Sequence, residues 1–196
     1  ALAFFVWFFL HTQHQQKEIA AGQAYTQYLL TLPSASATQQ VTEGFLKIAN
    51  DYAGTLAGQR ARLEAGATLF NAGKYADAQA QFKNFLTTES DSSLAVQAQS
   101  GLAASLEAQG KLDDALAAYR KVTTSYPDSE TAIAAKFAQG RVLEAQGPLS
   151  EAVTAYQDVT KLPLAGSLAQ EAGQRIAQIQ TKLAAAKPVA KPAAKS

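Results

Sequence analysis

The chain has 196 residues, 47% of them hydrophobic, with 17 basic and 16 acidic side chains and a formal net charge of +1. That balance leaves no basic footprint for nucleic acid and no acidic tail. Cysteine is absent, which removes disulfides, thiolate metal sites and a cysteine nucleophile together.

Residues 1–10 form an apolar run crowded with aromatics, Phe4, Phe5, Trp7, Phe8 and Phe9. Ten residues fall short of the roughly 20 that cross a bilayer. The run nevertheless has no polar face with which to sit in a soluble helix. The core of a signal peptide would be followed by a small-residue cleavage site, whereas His11-Thr12-Gln13-His14 follows here. The expectation is the end of a transmembrane anchor that begins upstream of Ala1. Only Lys17 and Glu18 flank it, without the basic cluster of a cytoplasmic side. This favours a single-pass protein of a bacterial inner membrane with its soluble part in the periplasm.

Residues 11–33 keep a helical rhythm, with Ile19, Tyr25, Tyr28, Leu29 and Leu32 at three- and four-residue steps. A connecting helix is expected to leave the membrane as one rod and end before Pro33. Pro33-Ser34-Ala35-Ser36 then reads as a loop, with Ser36 or Thr38 to cap the next helix.

From residue 38 to residue 186 the chain repeats itself. Gly73, Gly110 and Gly147 stand 37 residues apart, each opening a similar decapeptide. A fixed period in that range means stacked supersecondary units. Four second helices present matched positions: Val41, Ala78, Ala115, Ala152; then Phe45, Phe82, Tyr119, Tyr156; then Ile48, Phe85, Val122, Val159. The first helices match at Ala61, Ala98, Ala135, Ala172, at Gly66, Ala103, Gly140, Ala177, and at Leu69, Leu106, Leu143. Small residues let the antiparallel partner come close, and the large residue four positions after the second helix's alanine fills the hole. Each glycine is expected to end its first helix in a left-handed turn. Asp91-Ser92-Ser93 and Pro127-Asp128-Ser129-Glu130 read as loop-and-cap signals. Residues 167–186 read as a closing helix, and the Lys/Pro/Ala-rich stretch 187–196 as a disordered tail.

The series Gly66-Leu69-Gly73-Ala78-Phe82, with its counterparts Ala103-Leu106-Gly110-Ala115-Tyr119 and Gly140-Leu143-Gly147-Ala152-Tyr156, resembles the tetratricopeptide repeat. Pro127 matches the proline that closes such a repeat, while Ser90 departs from it. The resemblance implies an all-α, tetratricopeptide-type helical-hairpin solenoid, here with an N-terminal membrane helix. The anchor followed by these repeats is also similar to the membrane-anchored ancillary subunits of the bacterial Sec translocon. The repeats alone are similar to those of the TolA-binding division coordinator and the outer-membrane assembly lipoprotein.

Nothing in the pattern points to chemistry. The histidines, His11 and His14, sit three apart with Glu18 one turn further on, an incomplete ligand set. No histidine lies downstream to activate a serine, and no glycine-rich phosphate loop follows a strand. No enzyme activity and no cofactor are expected. In such solenoids the first helices line a concave surface that holds peptides or partner helices. Carrying the usual groove positions over by register gives Arg60, Leu63, Phe70 and Asn71; Gln97, Ser100 and Glu107; and Phe137, Arg141 and Glu144. Phe70 and Phe137 are there read as exposed aromatics. The expected partners are proteins of a translocon, a chaperone system or another membrane complex, with the bilayer held through the N-terminal helix. The alternative is a structural accessory subunit of a large membrane complex, its helix packed among other transmembrane helices.

Overall fold

The computed structural model describes residues 2–32, 37–127 and 129–186. These form helices throughout: α1 (Leu2–Leu30), α2 (Thr38–Asp51), α3 (Leu56–Asn71), α4 (Tyr75–Thr88), α5 (Ala95–Ala108), α6 (Leu112–Ser125), α7 (Glu130–Gln146), α8 (Leu149–Thr160) and α9 (Ser167–Ala186). They divide between two compact units, Ala1–Ala118 and Tyr119–Ser196. Among the described residues no helix is long and apolar enough to cross a membrane. The expected membrane helix is thus not shown; at its place the structure has the apolar start of α1.

The ladder read from the sequence is the core. All twelve matched second-helix positions are buried, as are Ala61, Ala98, Ala135 and Ala172, and Leu69, Leu106 and Leu143. In the first unit α2 packs on α3, α3 on α4 and α4 on α5. The close approach is literal at Gly66, where an added Cβ would lie 2.8 Å from the Phe82 ring, and at Gly101, where it would lie 2.5 Å from that ring. In the second unit α7 packs on α8 and α8 on α9, and a Cβ on Gly140 would lie 2.7 Å from Tyr156. Ala177 departs from the ladder: in the closing helix this position is exposed.

The turns follow from one glycine each. Gly73 and Gly110 have φ of +75° and +74°. At Gly73 the glycine N–H bonds to Phe70 O and the Lys74 N–H to Leu69 O, both at 2.9 Å. The same pair recurs as Gly110 to Glu107 O at 2.8 Å and Lys111 to Leu106 O at 3.0 Å. These two bonds satisfy carbonyls that a helix end leaves free. In the third turn the residue after the glycine is Pro148, which has no N–H to give. Gly147 itself bonds to Leu143 O at 3.0 Å and carries φ +107°.

Some helix starts differ from expectation. Ser129 does cap α7, its hydroxyl accepting from the Ala132 N–H at 3.1 Å. Thr38 is not a cap but the first residue of α2, behind Ala37, which offers no side-chain bond. Ser92 does not cap α5 either; its hydroxyl accepts from Leu94 N–H at 3.1 Å and donates to Gln59 Oε1 at 2.7 Å. An unforeseen cap is Thr55, whose hydroxyl accepts from the Gly58 N–H at 3.0 Å. Pro33, Ser36, Asp128 and the tail 187–196 lie outside the described residues.

The largest difference concerns α1, which is docked rather than standing free as a bare connecting rod. It packs on both α2 and α3. Tyr28 sets its ring edge-on to Phe45 at 5.0 Å and donates its hydroxyl to Val41 O at 3.0 Å. At the other end of the contact Lys17 Nζ donates to Ala53 O at 2.9 Å, and the Glu18 carboxylate accepts the Leu56 N–H at 3.2 Å. Ala21 is fully buried. It stands 37 residues before Gly58, in line with Ala95 and Ala132, all three buried. The second half of α1 is therefore the first helix of the first repeat, with α2 as its second.

Candidate protein-interaction site

First helices touch one another directly within each unit, α1 against α3, α3 against α5, and α7 against α9. Their outer positions accordingly share a face, which is what a binding surface of this architecture requires. In the first unit Arg60, Asn71 and Gln97 are exposed, while Leu63, Phe70, Ser100 and Glu107 are half-buried. Phe70 is pinned by Tyr75 across the α3–α4 turn, ring centroids 5.2 Å apart. Arg60 and Glu64 face Tyr25 of α1. Burial, then the Glu64 charge, pushes that phenol above its ordinary value, with Arg60 opposing.

Sequence reasoning stopped at α3 and missed the rung that α1 supplies. Gln23, Thr26 and Leu30 hold the positions 37 residues before Arg60, Leu63 and Ala67, and all three are exposed. The signal was present in Ala21 and Ala24, which precede Gly58 and Ala61 by the same period. The aromatic run ahead of them masks that period.

In the second unit Arg141 is exposed. Phe137 corrects the reading of an exposed aromatic: it is 6% exposed and packs on Tyr156, ring centroids 5.2 Å apart. Glu144 is engaged within the fold, accepting the Tyr156 hydroxyl at 3.3 Å and pairing with Lys182 of α9 at 3.6 Å. Burial first, and the Glu144 charge second, push the Tyr156 phenol up to about 12. Toward the start of α1, His11 stacks on Trp7 at 5.3 Å and His14 lies 3.7 Å from Glu18. Phe4, Phe5, Val6, Trp7, Phe8, Phe9 and Leu10 are 52–68% exposed.

Helical hairpins that interlock small residues with one aromatic, turn on a left-handed glycine and align their first helices define the tetratricopeptide class of repeat. The chain belongs to the tetratricopeptide repeat-like domain family, whose model matches residues 1–187 and so takes in α1. No curated protein matches the chain at a significant level.

Among solved structures it is similar to the Yersinia enterocolitica type III secretion translocator chaperone SycD, with 19% identity and a TM-score of 0.56 over 64% of this chain and 93% of that one. It is also similar to PcrH in complex with the chaperone binding region of PopD, with 20% identity and a TM-score of 0.56 over 66% of this chain and 97% of that one. A Podosopora anserina kinesin light chain with TPR-like repeats shares 14% identity and a TM-score of 0.54 over 90% of this chain and 98% of that one. At these identities the likeness is one of fold.

Proposed function

We propose that this chain is a membrane-anchored, non-catalytic scaffold that binds other proteins outside the cytoplasm through the face of its first helices. The observation that carries the reading is the exposed aromatic run of α1, which continues without a break into a helix of the repeats. Exposed apolar surface on that scale marks a membrane or protein contact. Apolar residues on every side of the helix, the five aromatics on one broad arc and Leu2, Val6 and Leu10 on the rest, suit lipid, which surrounds a helix, better than a partner that meets one face. Protein partners are supported by the fold: PcrH binds a region of PopD, and SycD has been captured with a peptide of the translocator YopD.

Within that reading, an anchor in a bacterial inner membrane, repeats in the periplasm and a place beside the Sec translocon or envelope chaperones fit best. The scarcity of basic residues around Lys17 supports this orientation. The alternative, a structural subunit of a large membrane complex, draws on the same exposed aromatics, which suit packing against other helices. The two separate in a mild-detergent pull-down with stoichiometry read by mass spectrometry. Recovery of translocon and folding factors at low, variable ratio supports the scaffold; one assembly at constant ratio supports the subunit. Purification without any membrane protein or lipid overturns both.

A further inference from the structure

Between Leu10, the last residue of the aromatic run, and Lys17, the first to grip the repeats, α1 makes about two turns and is unbroken helix. The grip that follows is two-sided. Lys17 holds Ala53 O before α3, and Glu18 holds the Leu56 N–H that opens it. About two turns further on, past the buried Ala21, Tyr25 and Tyr28 close on the Phe45 ring. This contact runs along α1 from residue 17 to residue 28, with α2 antiparallel to it and α3 running alongside in the same direction.

Resting on the membrane reading above, we infer that α1 is a rigid strut: it makes the anchor and the first rung of the binding face a single element and so fixes the height of that face above the bilayer. Counting along the helix at about 1.5 Å per residue, Gln23 stands roughly 20 Å and Leu30 roughly 30 Å beyond Leu10. A face fixed there takes a polypeptide that projects from the same membrane, the extramembrane part of an embedded protein, in preference to one that diffuses freely. A scaffold on a flexible linker would sample every height and show no such preference.

The chain is suited to measuring this, because it has one tryptophan, Trp7, and no cysteine. The full chain is reconstituted in phosphatidylethanolamine–phosphatidylglycerol vesicles carrying a nitroxide on the lipid headgroup. Single fluorophores are placed through Leu56→Cys and Asn71→Cys, both at exposed positions of α3 that lie about 22 Å apart along its axis. A rigid strut gives strong quenching at position 56 and little at position 71. A flexible Gly-Ser insertion after Gln13 removes that contrast while Trp7 remains quenched by a nitroxide placed on the acyl chain. Equal quenching at both positions, or contrast that survives the insertion, overturns the strut with the anchor intact. Trp7 left unquenched overturns the anchor itself and the inference with it, so the two failures are told apart.

Discussion

Phe82 meets glycine on two sides, Gly66 of α3 and Gly101 of α5, and either Cβ would intrude on its ring. Gly66→Ala is expected to destabilise the protein by about 1–3 kcal/mol through overpacking, and Gly101→Ala by a similar amount. Phe82→Ala, which empties the same site, is expected to cost about 3–5 kcal/mol. Chemical denaturation checks all three. Combining Gly66→Ala with Phe82→Ala should recover part of the loss, because the two side chains compete for one space.

Tyr156 gives a prediction in pH. Its phenol is pushed up to about 12 in the folded chain, above the ordinary tyrosine value of 10.0. Between those values the unfolded chain has released a proton that the folded chain still holds, so stability falls as pH rises. The stabilisation is fully present below pH 10 and is lost progressively toward pH 12. Tyr156→Phe should flatten that alkaline slope in a denaturation series, and the tyrosinate absorbance should lose a step near pH 12. These core positions were legible because a repeated constraint leaves a repeated residue. Phe137 was not, because register alone does not tell whether an aromatic faces a partner or the neighbouring helix.

At the scale of the element, the left-handed glycines were legible for the same reason, and of the caps only Ser129 was. Serine and threonine satisfy nearby backbone in several geometries. Ser92 uses one of the others to hold Leu94 N–H and Gln59, so its presence before a helix was a poor guide to where the helix starts. Half of α1 was hidden by its own composition. A helix that is apolar at one end and a repeat at the other carries two signals, and the aromatic one dominates the composition. Gly73→Ala forces a side chain into φ +75° and should cost about 1–2 kcal/mol, read as a lowered denaturation midpoint. Lys74→Pro at the next residue should also destabilise, because it removes the N–H that reaches Leu69 O. The third turn already lives with that loss at Pro148.

At the scale of the whole molecule, the family match over residues 1–187 and the 37-residue period agree that this chain is built by addition. Membrane attachment, partner and compartment leave no such periodic trace, since each rests on a single stretch that nothing in the chain repeats. They are accordingly matters for the pull-down and the vesicle experiment.

The matching turns at Gly73-Lys74 and Gly110-Lys111 carry one further consequence. Because the two junctions share backbone geometry and the same two hydrogen bonds, they are interchangeable splice points. Excising residues 74–110 joins Gly73 to Lys111 and recreates the turn, with every ladder position still in phase. The shortened protein is expected to fold with undiminished helicity per residue by circular dichroism, whereas a deletion a few residues out of phase should not. Evolution or an engineer can thus change the length of this protein in whole periods while keeping the backbone turn at the join, with Leu112 taking the place of Tyr75 beside Phe70.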